Sequence, residues 1–138
     1  MLRYKHYQKT GELIIDEEIS NWQKMLDERR EKGVLTIRLQ IIKSPVPELT
    51  KFEIKEMQKY KYAEKSVFLN REELTQLAKG RPIYDFWLFD EKEALVPKYD
   101  KDGKWLGHET LSKEDRSWLV ELKQKAMLIA KPLESLNL

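Results

Sequence analysis

The feature that most constrains this chain is the run Ile83-Tyr84-Asp85-Phe86-Trp87-Leu88-Phe89-Asp90, in which large apolar side chains are interrupted only by Asp85 and closed by Asp90. Aromatic surface on that scale, gathered in so short a segment, has to leave water somewhere in the fold. A near-continuous apolar run reads as a strand buried on both faces. Side chains alternate along a strand, so Phe86 shares a face with Leu88 and Trp87 with Phe89. Both faces are then apolar, and the block is expected to form core. A stacking platform for nucleic-acid bases would instead need two rings on one exposed face with basic residues beside them. Asp85 and Asp90 lie five positions apart, which on a strand puts them on opposite faces about 17 Å from each other. They are therefore no carboxylate pair, and are read as residues that open the strand and end it at a turn.

The remaining elements are read around that block. Residues 1–16 alternate weakly around Lys9-Thr10-Gly11 and are expected to form a short hairpin or an arm. Asp16 precedes an amphipathic helix carrying Ile19, Trp22 and Leu26 and stopped by Gly33. VLTIRLQIIK, residues 34–43, is rich in β-branched residues and reads as a strand, ended by Ser44-Pro45-Val46-Pro47. A helix follows in which Leu49, Phe52, Glu53, Glu56, Met57 and Tyr60 recur on one face. SVFL at 66–69 reads as a strand, and Asn70 then caps a helix ending at Gly80. Beyond the aromatic block, EALVPKY and KWLGHETL flank the turn Asp100-Lys101-Asp102-Gly103 as an antiparallel meander. Ser112 opens the last helix, and the segment 132–138 is read as a mobile tail. The expectation is a single α+β domain, with one layer of mainly antiparallel sheet of four or five strands packed by three or four helices.

Composition narrows the functional classes. The chain has 138 residues, 26 basic and 24 acidic, with both signs interspersed, which argues against a dedicated nucleic-acid surface. It contains no cysteine, so disulfides, thiolate metal sites and thiol nucleophiles are all excluded. His108 and Glu109 are strand neighbours whose side chains point apart, and no metal site or cofactor is expected. No apolar run reaches the roughly 20 residues needed to span a bilayer. The start, MLRYKHYQKTGE, lacks the apolar middle of a signal peptide. A cytoplasmic location without membrane contact is expected. No phosphate-cradling glycine loop or nucleophile elbow is present.

RLQIIKSPVPELTKFE, AEKSVFLNR and DFWLFDEKEALVPKYDKDGKWLG, in that order, resemble an uncharacterised, largely actinomycete bacterial family known only as a domain of unknown function. The likeness runs over residues 22 to 110, and DFWLFD followed by YDKDG is its most specific part. Ala63 stands where the family usually has glycine, and Leu49 where it has an aromatic residue. The resemblance places the family's polar positions on Arg38, Glu53, Glu64, Arg71, Asp85 and Asp90. Members are often encoded beside helix-turn-helix regulators, which implies a protein partner of that kind. Of the polar positions, Arg38, Glu64, Arg71 and Asp85 are taken as ligand-binding candidates, with Glu64 and Arg71 flanking a strand and Arg38 joining them at one end of the sheet. The leading expectation is a non-enzymatic interaction or regulatory domain. The alternative is a small enzyme or nucleotide- or phosphate-binding domain in which the arginines hold phosphate and the carboxylates read hydroxyls.

Overall fold

A computed structural model describes residues 1–136. The fold is α+β, with five α-helices and six strands arranged in two three-stranded sheets. The chain divides into two compact units. The first comprises Met1–Arg71 together with the segment from Ala130 onward, and the second is Glu72–Ile129.

The first unit opens with helix α1, Leu2–Thr10, where a hairpin or arm was expected. The weak alternation of this segment is overridden by tertiary contacts. Tyr4 and Tyr7, one helical turn apart, both set their rings on Phe52 at centroid distances of 5.2 and 5.3 Å. Gly11 closes the helix at φ 73, donating its N–H to the Tyr7 carbonyl at 2.8 Å. Asp16 caps α2, Glu17–Glu31, by accepting the Ile19 N–H at 3.0 Å. Strand β1, Ile37–Ile42, helix α3, Glu48–Tyr60, and strand β2, Lys65–Asn70, then form a crossover unit. The strands it connects are parallel, with Arg38 opposite Ser66 and Ile42 opposite Asn70. The helix that joins the two strands carries the chain back to run parallel, while the other strand pairs are antiparallel. Leu26, Phe52, Ile54, Met57, Val67, Phe68 and Leu69 fill the core of this unit.

Residues 132–136, expected as part of a mobile tail, are engaged with this unit together with Lys131. Strand β6, Lys131–Pro132, pairs antiparallel with Phe68 and Val67 on the free edge of β2. A 3-10 turn at Leu133–Ser135 follows, and the Gln58 amide donates to the carbonyls of Leu133 and Leu136. Residues 137 and 138 of the expected tail lie outside the described residues.

The second unit holds all but the first residue of α4, Arg71–Ala78, an antiparallel meander and α5, Lys113–Ile129. The meander is β3, Trp87–Phe89, β4, Glu93–Tyr99, and β5, Trp105–Thr110. Asp90 and Glu91 both have positive φ, 52 and 59, in the hairpin loop of residues 90–92, where the Lys92 N–H donates to the Phe89 carbonyl and Phe89 pairs with Glu93. The Asp100 carboxylate accepts from the N–H groups of Asp102 and Lys104, shaping the second turn around Gly103 at φ 84. Leu74, Ala78, Ala94, Leu119, Leu122 and Ala126 are its buried apolar residues.

The aromatic block is not the core that its composition suggests. Only Trp87–Phe89 are in strand, and Trp87 and Phe89 are each 43% exposed. Burial on both faces requires a covering layer on each side, and this meander has one. Leu88 stands opposite the fully buried Ala94, whereas Trp87 and Phe89 project from the other face.

Arg3 and Glu56 are an ion pair sealed inside the first unit, and removing one of a buried pair strands the other. Arg3→Met is expected to destabilise the protein by about 3 kcal/mol in urea unfolding. Arg3→Met combined with Glu56→Leu should recover most of that loss, and a double variant no more stable than the single one would refute the assignment.

Candidate functional site

The parallel register of β1 and β2 brings Arg38 beside the residue that leads into β2. Arg38 Nε lies 3.0 Å from Glu64 Oε1, and the Glu64 side chain is only 2% exposed. Ser66 Oγ is a further donor to the same carboxylate oxygen at 3.5 Å. Burial raises the Glu64 carboxyl above its ordinary value, and the Arg38 charge and hydrogen bond oppose that rise. The guanidinium carbon of Arg38 also sits 5.1 Å from the centre of the Trp22 ring on α2. Arg38 thereby ties α2, β1 and the entry to β2 together.

A second cation stands close by. Arg3, with a side chain 4% exposed, donates Nε to Glu56 at 2.9 Å and Nη1 to Asp16 and Glu18, each at 3.0 Å. These three carboxylates outweigh the desolvation that works against its charge, so the guanidinium stays protonated well above its usual range. Asp16 is held below its ordinary value, first by the Ile19 N–H and then by Arg3. Glu56 is raised, because burial outweighs the help from Arg3.

Arg3 and Arg38 line an open cleft of about 560 Å³. Its apolar surface comes from Ile19, Trp22, Met25, Met57 and Tyr62, and its acids are Glu18, Glu53 and Glu56. Glu53 differs from the other two. It is half-buried on α3 and has neither an ion-pair nor a hydrogen-bond partner among the described residues. Burial raises its carboxyl above the ordinary value, with Arg38 and Arg3 acting only through their fields to lower it. The Tyr62 hydroxyl is also buried without a partner, and its pKa is pushed up to about 12, chiefly by burial. The cleft therefore holds two neutralised arginines and one carboxylate whose charge is unmatched.

Of the four residues singled out in the sequence, the structure brings Arg38 and Glu64 together. Glu64 precedes β2 and Arg71 follows it, so the two stand at opposite ends of a six-residue strand, roughly 20 Å apart. Arg71 therefore does not join the cluster at the Arg38 end. Asp85 is exposed and belongs to the second unit, in the segment before β3. The residues sequence reasoning left out are Arg3, Glu56 and Trp22. Glu53 and Glu56 recur among the apolar residues of α3's inward face, and that placement is the signal of carboxylates held inside and in need of a cation. Arg3 gave no such sign, since its segment did not read as a helix. Among the described residues, no group of three or more acids and histidines is placed to hold a metal ion, and no helix is long and apolar enough to cross a membrane.

Residues 2–135 match the model of a family described as a domain of unknown function, DUF6879. The match reaches well beyond residues 22–110, over which the resemblance was read, and takes in the region of α1 and the β6 return. No curated protein and no solved structure matches the chain.

Arg38→Met leaves Glu64 buried without its cation and is expected to cost about 2 kcal/mol, less than a fully buried pair because Arg38 is partly solvated. Glu64→Gln in the same background should restore part of this in urea unfolding, and additive losses would show that the pair is not coupled. The pH dependence has a definite sign. A raised folded value means that Glu53 contributes most below the ordinary value of 4.5 and that this contribution is lost as pH rises through the folded value. Glu53→Gln should therefore flatten the fall in stability as pH rises above 4.5; an unchanged slope would place the responsible group elsewhere.

Proposed function

The chain belongs to the DUF6879 family, and from the cleft's unmatched carboxylate we propose that it is a non-enzymatic interaction domain that captures a basic side chain of a protein partner. The observation that carries this reading is Glu53. A half-buried carboxylate with no cation of its own is costly, and an incoming ammonium or guanidinium would relieve that cost. Arg38 does not serve a phosphate clamp in this reading, because its Nε is given to Glu64 and its face to Trp22. The apolar surface around Trp22 and Met25 suits the aliphatic stem of a lysine or arginine, whose head would reach Glu53. A helix-turn-helix regulator fits as the partner because such proteins carry arginines and lysines for phosphate contact. On that reading the protein is a bacterial, cytoplasmic member of a small regulatory cassette.

The test is calorimetric titration with two synthetic peptides that are identical except that one carries arginines where the other carries glutamates. The basic peptide should bind, and Glu53→Gln should weaken it about tenfold or more. Glu114→Gln, in the second unit, should leave the affinity unchanged. Binding should also weaken on acidification as Glu53 takes up its proton. Equal binding of the two peptides, or an unaltered affinity in the Glu53→Gln protein, would overturn the proposal.

A further inference from the structure

The uncovered face of the β3–β4–β5 sheet carries a second message, independent of the cleft. Residues opposite each other in an antiparallel ladder share a face. The pairs Trp87 with Leu95, Pro97 with His108, and Tyr99 with Trp105 therefore place these residues together, and Phe89 joins them two positions beyond Trp87. The register shift at Lys98/Tyr99 keeps Trp105 on this face, where its ring meets His108 at 5.3 Å. Trp87 and Phe89 are 43% exposed, Tyr99 55% and Trp105 56%. At roughly 200 Å² of surface per aromatic side chain, these four rings leave on the order of 400 Å² of apolar surface in water along one sheet face.

Charge identifies what covers it. The chain is 36% charged, yet Glu93 is the sole residue of this face that is formally charged at neutral pH. The ion pair of Lys98 and Glu109 belongs to the opposite face. Without lysine or arginine, the face has nothing to hold a nucleic-acid backbone. A two-fold interface sets a patch against its own copy, so concentrated charge of one sign would repel itself, and a face with a single charged residue suits self-association. The four rings supply about half of the roughly 800 Å² per partner found in stable interfaces, and Leu95, Pro97 and His108 on the same face extend the patch. We propose that this sheet face is a homodimer interface, in which two copies stack their aromatic faces as the layers of a sandwich about 10 Å apart.

Sedimentation velocity over the micromolar range tests this with the full chain. A monomer–dimer equilibrium is expected that is little affected by salt. Trp87→Lys and Trp105→Lys should each raise the dissociation constant about 30-fold or more, since each sets like charges against one another. Their circular dichroism and unfolding midpoints confirm that the variants are folded. Should either lysine variant misfold, Tyr99→Ala and Phe89→Ala provide the same readout. In the wild type, quenching of tryptophan fluorescence by iodide should decline as concentration rises. A monomer at all concentrations, or a dimer indifferent to these substitutions, overturns the proposal. So does a monomer whose rings respond instead to an added proline-rich peptide or an oligosaccharide.

Discussion

The first unit depends on the burial of a guanidinium. Arg3 is almost completely removed from water, which is tolerable only because Glu56, Asp16 and Glu18 surround it. Each carboxylate comes from a different place: Glu56 from α3, Glu18 from the first turn of α2, and Asp16 from the cap that starts α2. One side chain therefore fixes where α1 lies, where α2 begins and how α3 faces both. The cap illustrates the economy of the arrangement, since the Asp16 carboxylate satisfies a helix N–H and a buried cation together. Tyr4 and Tyr7 then add apolar contact with Phe52 beside the ion cluster.

The same logic makes the neighbouring cleft distinctive. Arg3 and Arg38 are each paired with acids of the protein, Arg38 through its Nε, and both also project a field onto Glu53, which has no direct contact with a cation. A site in which every charge were paired would be structural only. Here Glu53 is left without a direct cationic contact, at the edge of an opening large enough for a side chain. Trp22 contributes rigidity, because its ring is braced by the Arg38 guanidinium.

Much of the fold was legible in the sequence, for reasons that can be named. Local signals worked where the chemistry is local. Asp16 capped α2, the prolines at 45 and 47 separated β1 from α3, and Asp100 with Gly103 shaped the second turn of the meander. Two readings failed because they rested on partners distant in sequence. The helical state of residues 2–10 is imposed by Phe52 and Glu56, some fifty positions away. The exposure of Trp87 and Phe89 depends on what covers a sheet, which a run of apolar residues cannot encode. At the site, Arg38 and Glu64 were identified, but their exclusive pairing follows from the parallel register, whereas Arg71 was misplaced by treating both ends of β2 as one. Glu53 was visible as a family position and became meaningful only when it proved to be the acid left unpaired.

The return of the chain to β2 has a consequence for how the protein is made. The edge of β2 against which Lys131 and Pro132 lie stays bare during synthesis until the ribosome has released everything from Glu72 to Ile129. The first unit can assemble its helices early, but its sheet is finished by residues that emerge after the whole second unit. For that interval the nascent polypeptide presents an open strand flanked by Val67 and Phe68, and the two-residue β6 acts as the late seal that keeps another chain from taking the same place.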